Sequence, residues 1–259
     1  MGMNVAIVEG RPLRGWHGRV QLARARLGHS HLTDQSAMRL AHPLRQALAD
    51  HWRLQGELEH SSVVAYQDLA RRLALLDAPD DLVHRCLVAA QQEGAHGVRC
   101  FELAGRYLGQ SMHSGRLRRP LRLPRSRSAE LQALAVQTLL DGVVLEAYAS
   151  RMARIRAQRA FDSRVVETLQ VIATDEAVHA VLARDILDWC LGTGGQPVRV
   201  AVRQAALQLP VSGPGIILPV GLDHGVLADH GQYDADPDNA VFRELTEAAR
   251  ELYLARTQS

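Results

Sequence analysis

Gln91-Gln92-Glu93-Gly94-Ala95-His96 and Ala173-Thr174-Asp175-Glu176-Ala177-Val178-His179 each contain Glu-x-x-His. Residues i and i+3 share one side of a helix, so each segment presents a carboxylate and an imidazole together. A single Glu in an apolar, helical setting precedes each motif: Glu59 lies 34 residues before Glu93, and Glu146 lies 30 residues before Glu176. The chain reads as two helical hairpins of similar length, each with one Glu on its first helix and Glu-x-x-His on its second. Four carboxylates and two imidazoles converging in a four-helix bundle form a two-metal site. One Glu-x-x-His alone is weak, because with 12 His in 259 residues a given Glu meets a His three positions on about one time in twenty. Two copies on two long helices, each with a partner Glu at similar separation, carry much more weight. The competing reading puts these side chains on solvated faces as surface pairs, and their apolar neighbours argue against it.

Charge points the same way. Four ionised carboxylates facing one another in an apolar core are strongly destabilising unless compensated, and otherwise take up protons. Two divalent cations cancel four negative charges, and neutral imidazoles add coordination without adding charge. Mixed carboxylate and imidazole ligation suits iron, with manganese as the alternative; soft-metal sites want thiolate. Cys86, Cys100 and Cys190 have no ligand spacing to each other, which argues against a cysteinyl zinc site.

Working outward, Leu54, Leu58, Val63, Tyr66, Leu69, Leu73 and Leu76 recur at helical spacing and predict a long helix over 50–76 that carries Glu59 on its apolar side. Asp77-Ala78-Pro79-Asp80 is a turn with Pro79 in the first turn of the next helix, which runs to Leu108 and stops at Gly109. Gly109 to Arg127 breaks the pattern with Pro120, Pro124 and six arginines (116, 118, 119, 122, 125 and 127), as a crossover along the length of a bundle would. A third helix is expected from Ser128 to Arg156, and a fourth from the break at Phe161-Asp162-Ser163 to Leu191-Gly192. Gly192-Thr193-Gly194-Gly195-Gln196-Pro197 reads as a stop, followed by a short helix over 198–209, an irregular stretch over 210–238 and a last helix over 239–255. Before the bundle, residues 1–34 read as an irregular arm in which Val5-Ala6-Ile7-Val8 is a short strand or a clamp; a helix over 35–50 follows. The expected fold is all-α and a single domain: arm and helix over 1–49, bundle over 50–192, C-terminal helical extension over 193–259.

A formal charge of +2 and 4% aromatic residues argue against a nucleic-acid or membrane role. Three scattered cysteines, no signal peptide and no long apolar run point to the cytoplasm.

The ligand pattern over residues 50–192 resembles the ferritin-like di-iron carboxylate proteins. Glu59-His60-Ser61-Ser62-Val63-Val64-Ala65-Tyr66 and Glu93-Gly94-Ala95-His96-Gly97-Val98-Arg99-Cys100-Phe101 resemble a bacterial subgroup of them. The resemblance implies a ferritin-like four-helix bundle with its long crossover between helices 2 and 3. Glu59, Glu93 and His96 would serve one iron and Glu146, Glu176 and His179 the other, with Glu93 and Glu176 bridging. It further implies an Asp before the Glu of each motif, hydrogen-bonded to a ligand imidazole; Asp175 matches, and Gln92 stands at the other position. The activity implied is O2-dependent oxidation of a small organic substrate by hydroxylation, N-oxygenation or desaturation, with an electron donor. The alternative is a ferroxidase, iron-handling or peroxide-scavenging role without organic substrate.

Tyr66, two turns after Glu59, is either a core residue or a proton donor or radical site near the metals. Asp141 is a candidate extra ligand, and His60 a packed or hydrogen-bonded residue. Ala89, Gly97, Gly142, Ala173 and Ala180 leave either a substrate cavity or close helix contacts. The arginine-rich connection is a solvated face or a seat for an acidic, carrier-tethered substrate. His224 and His230 are candidates for a third metal or a lid. A homodimer is compatible with all of this.

Overall fold

The computed structural model describes residues 10–15, 19–32, 34–117, 125–214, 218–233 and 239–258. The protein is mostly helical. Asp34 accepts from the backbone N–H of Ser36 and Ala37 and starts α1 (Gln35–Met38). The expected helix over 35–50 is not separate from its successor. After a break at Arg39–Ala41, α2 runs unbroken over His42–Leu75, with Pro43 in its first turn. Helix α3 (Asp80–Leu108) packs along α2 and ends at Gly109, whose left-handed conformation (φ 76°) closes the helix.

The third long helix is composite. Ser126 caps α4 (Arg127–Gln137), a π-helical stretch follows over Thr138–Val144, and α5 (Leu145–Arg159) continues it. Propensity does not announce the π turns, which the periodicity reads as plain α-helix. Helix α6 (Ser163–Leu207), capped by Asp162, packs on α3, α4 and α5. The stop expected at Gly192–Pro197 narrows to one non-helical residue, Gly195 (φ 58°, ψ −149°), beyond which the chain resumes helix through Leu207.

Two short strands lie where the sequence predicts irregular chain. Strand β1 (Arg26–His31) pairs antiparallel with β2 (Gln110–His113), Leu27 opposite Met112, and so ties the N-terminal arm to the end of α3. Val5–Val8 and arginines 118, 119 and 122 lie outside the described residues. At the C-terminus, α7 (His224–Asp229) falls in the stretch expected to be irregular, and α8 (Ala240–Arg256) packs on α6, α5 and the π turns.

The core forms two apolar clusters. Leu69, Leu73, Leu134, Leu145, Ile186 and their neighbours form one, which includes Phe242 and Tyr253 of α8. Leu48, Trp52, Cys100, Leu103, Val165 and Leu169 belong to the other. Glu59, Glu93 and Glu176 fall between the two clusters along their helices, and Glu146 lies in the stretch of α5 that belongs to the first. Among the described residues, no helix is long and apolar enough to cross a membrane. All three cysteines are free and buried.

Candidate metal centre

Four helices supply the six candidate ligands: Glu59 from α2, Glu93 and His96 from α3, Glu146 from α5, Glu176 and His179 from α6. The structure brings all six together. One ligand atom from each of Glu59, Glu93, His96 and Glu176 lies within 4.8 Å of the others, and the same holds for Glu93, Glu146, Glu176 and His179. Glu93 and Glu176 are common to both groups and so sit between two halves. Glu93, His96, Glu146, Glu176 and His179 are buried, and Glu59 is partly exposed.

The imidazoles are oriented by their outer nitrogens. His96 Nε2 donates to Asp175 Oδ2 at 2.9 Å, and His179 Nε2 donates to Gln92 Oε1 at 3.0 Å. Gln92 Nε2 in turn donates to Asp175 Oδ1 at 2.9 Å, which fixes the amide so that its oxygen faces His179. Each Nδ1 therefore points inward. His96 Nδ1 lies 3.6 Å from Glu59 and 3.8 Å from Glu176, and His179 Nδ1 lies 3.3 Å from Glu93. The pairing crosses between motifs: the Asp before one Glu serves the imidazole of the other motif, and Gln92 does the same in return.

Crowding shows in the acidities. Burial, then the Glu176, Glu59 and Glu146 carboxylates, push Glu93 well above the usual carboxylate range. Burial and the charge of Glu176 do the same to Glu146, and burial lifts Glu176 to about 7. Burial also opposes charge on Glu59 and His96, but their mutual attraction outweighs it. Glu59 is held below its ordinary value and His96 is raised to about 9. Burial lowers His179.

The donor set could hold metal. Both oxygens of Glu93, Glu146 Oε2, Glu176 Oε2, His96 Nδ1 and His179 Nδ1 are buried and have no hydrogen-bond partner. A buried unpaired polar atom costs roughly 1–3 kcal/mol. Six in one cluster are a large cost that a bound ion would remove. Oxygen and imidazole donors at this spacing, without thiolate, can hold such an ion.

Comparison with protein-family models, with curated proteins and with solved structures finds no match. What the centre can do must come from its own geometry.

The other candidates fall as follows. Tyr66 is buried, its hydroxyl donates to Glu146 Oε1 at 2.7 Å, and its ring lies 5.2 Å from that of His179. Asp141 is outside both ligand groups: it is paired with Arg14, whose Nε and Nη2 reach its carboxylate at 2.7–3.0 Å. His60 is half-buried on α2 and stands outside the ligand groups. His224 Nε2 bonds the Pro219 carbonyl, and His230 Nδ1 bonds the Tyr107 hydroxyl; neither joins a ligand group among the described residues. Of the arginine-rich connection, Arg127 pairs with Asp77 and the Leu76 carbonyl, and Arg125 with Glu130.

A cavity of about 30 Å³ adjoins Glu59 and Glu176. Trp52, Leu58, Ala149 and Ile172 wall it, with His51 and Arg156 at its lining too. None of the five small residues singled out by sequence lines it. Gly142 instead makes room for a side chain, because a Cβ there would lie 2.3 Å from Arg11 Nη2 and 2.5 Å from Ala183 Cβ.

Arg11 is the residue that sequence reasoning missed. It lies in the arm, is 2% exposed, has its Nε 3.8 Å from Glu146 Oε1, and stacks over the Tyr66 ring at 5.3 Å. The arm is anchored beyond it. Leu13 N–H donates to Ser61 Oγ, Arg14 holds Asp141, and Ala25 N–H donates to Glu57 Oε1. No periodicity marks Arg11-Pro12-Leu13-Arg14, so nothing local signals burial.

Proposed function

We propose that this protein is a non-haem di-iron enzyme on a ferritin-like four-helix bundle, using O2 to oxidise a small organic substrate. The observation that supports it best is the set of six buried, unpartnered ligand atoms facing one space between four helices. Glu59 and His96 would hold one iron, Glu146 and His179 the other, with Glu93 and Glu176 between them. Iron so held supplies electrons to O2 and an oxidant for an adjacent organic molecule.

The chain's own groups do the rest. The apolar clusters on either side exclude water, which strengthens every charge interaction inside. Asp175 and Gln92 lock the two imidazoles with Nδ1 inward. Tyr66 holds a proton at Glu146 Oε1, on the opposite carboxylate from the cavity-lining Glu59. The cavity beside Glu59 and Glu176 is where a substrate would meet the centre. Its small volume favours a second reading, in which O2 or peroxide is the only molecule admitted and the protein handles iron or scavenges peroxide. An external electron donor would return the metals to the reduced state.

Anaerobic loading with Fe(II), followed by rapid mixing with O2, tests this. The expected result is two iron ions bound per chain, O2 consumed, and a transient visible absorption absent from Glu93→Gln. Protein that binds no iron and melts at an unchanged temperature on adding Fe(II) would defeat it.

A further inference from the structure

Arg11 is a fixed positive charge inside a cluster of negative ones. All 30 basic residues of this chain are arginine, and a buried guanidinium does not surrender its proton to escape the apolar interior. Its Nε and Nη2 are buried without a hydrogen-bond partner, so the side chain is not there to complete a hydrogen-bond network. Among the described residues its ion pair is with Glu146, and that of Glu59 is with His96. Tyr66 and Arg11 both address the same atom, Glu146 Oε1, which leaves Oε2 as the free oxygen of that carboxylate. Glu59 carries neither burden. The absence of a Cβ at Gly142 keeps open the space that the guanidinium occupies.

Resting on the dinuclear reading above, we infer that Arg11 makes the two halves of the centre unequal. The half built from Glu59 and His96 binds a divalent cation tightly and first; the half built from Glu146 and His179 binds second and weakly. Two effects combine. A cation held by Glu146 is repelled by the neighbouring guanidinium, and repulsion between like charges is strong where water is excluded. Glu146 also offers it one unencumbered oxygen. Glu93 and Glu176 serve both halves, so they do not create the difference. In the protein before metal binds, the same guanidinium offsets one of the four carboxylates and lets the cluster be buried.

Anaerobic titration with Mn(II), followed by electron paramagnetic resonance and by competition with a chelator, reads this directly. In the wild type the first equivalent gives the signal of isolated Mn(II), and the second, at least tenfold weaker, gives that of a coupled pair. Arg11→Met tightens the second step at least tenfold, alters the first by less than threefold, and gives coupled pairs from the first equivalent. Glu59→Gln in the wild-type background removes the tight step and Glu146→Gln the weak one, and this pair can overturn the inference even if Arg11→Met does not fold. Equal steps in the wild type, an unchanged second step in folded Arg11→Met, or loss of the tight step in Glu146→Gln would each overturn the inference while leaving a dinuclear site. Failure of wild-type protein to bind Mn(II) or Fe(II) at all would overturn the metal reading itself, and this inference with it.

Discussion

Raising the pH from 6.5 to 9 will destabilise the metal-free protein, and metal will protect against it. The perturbation acts on groups whose folded and unfolded proton affinities differ. His96 is raised from 6.5 to about 9 because Glu59, Glu176 and Asp175 together outweigh the cost of burying its charge. Between those values the native state binds more protons than the unfolded chain, so the stability His96 contributes is complete below 6.5 and is lost as the pH climbs through 9. A difference of that size corresponds to about 3 kcal/mol. Glu176, lifted from 4.5 to about 7, loses the last part of its own contribution in the same direction, and the raised Glu93 and Glu146 act with it. Glu59, His179 and His51 are lowered, so their effect is of opposite sign, but it falls below their unfolded values of 4.5 and 6.5 and leaves the window above 6.5 untouched. Metal reverses the trend, because ligands must give up their protons to bind, and binding strengthens as the pH rises. Urea unfolding followed by circular dichroism, at steps of pH between 6.5 and 9, with chelator and with Mn(II), measures both curves. The expected result is a chelated protein losing about 3 kcal/mol across the window, with a gap to the metal-loaded protein that widens steadily. A chelated protein whose stability is flat or rising, or a gap that does not widen, would refute the account of the cluster.

Three substitutions test its surroundings. Tyr66→Phe removes the donor to Glu146 Oε1 and leaves a buried acceptor without a hydrogen bond, so metal-free protein loses about 1–3 kcal/mol by urea unfolding. Gly142→Ala places a methyl against Ala183 Cβ on the packed helix α6 as well as against Arg11, and overpacking of this kind costs about 1–3 kcal/mol; an unchanged melting temperature would show that the arm does not pass there. Gln92→Leu strips His179 Nε2 and Asp175 of a partner each, and chelator competition will show metal affinity down by about tenfold to a hundredfold with the fold intact by circular dichroism.

The long helices were legible because their apolar residues repeat at helical spacing over many turns, and because Asp162 and Gly109 mark their ends; the cap of the third is Ser126, two residues before the Ser128 that sequence indicates. The connections were less so. The β1–β2 pair joins residues about 80 positions apart, and neither strand has an alternating pattern long enough to declare itself. Gly192 to Pro197 contains the Gly and Pro that ordinarily end a helix, yet only Gly195 lies outside helical geometry.

The centre divides in the same way. Three-residue spacing alone obliges Glu93 with His96, and Glu176 with His179, to leave one side of a helix together, whatever the rest of the chain does. Local rules cannot say which helix faces which, so the crossed partnership of Asp175 with His96 and Gln92 with His179 came only from the packing of α3 against α6. Arg11 depended on tertiary structure entirely. Its burial beside Glu146 requires an arm anchored on Ser61 and Asp141 and a missing Cβ at Gly142, three features distant in the chain that fix an arginine where its own neighbours in sequence would leave it in water.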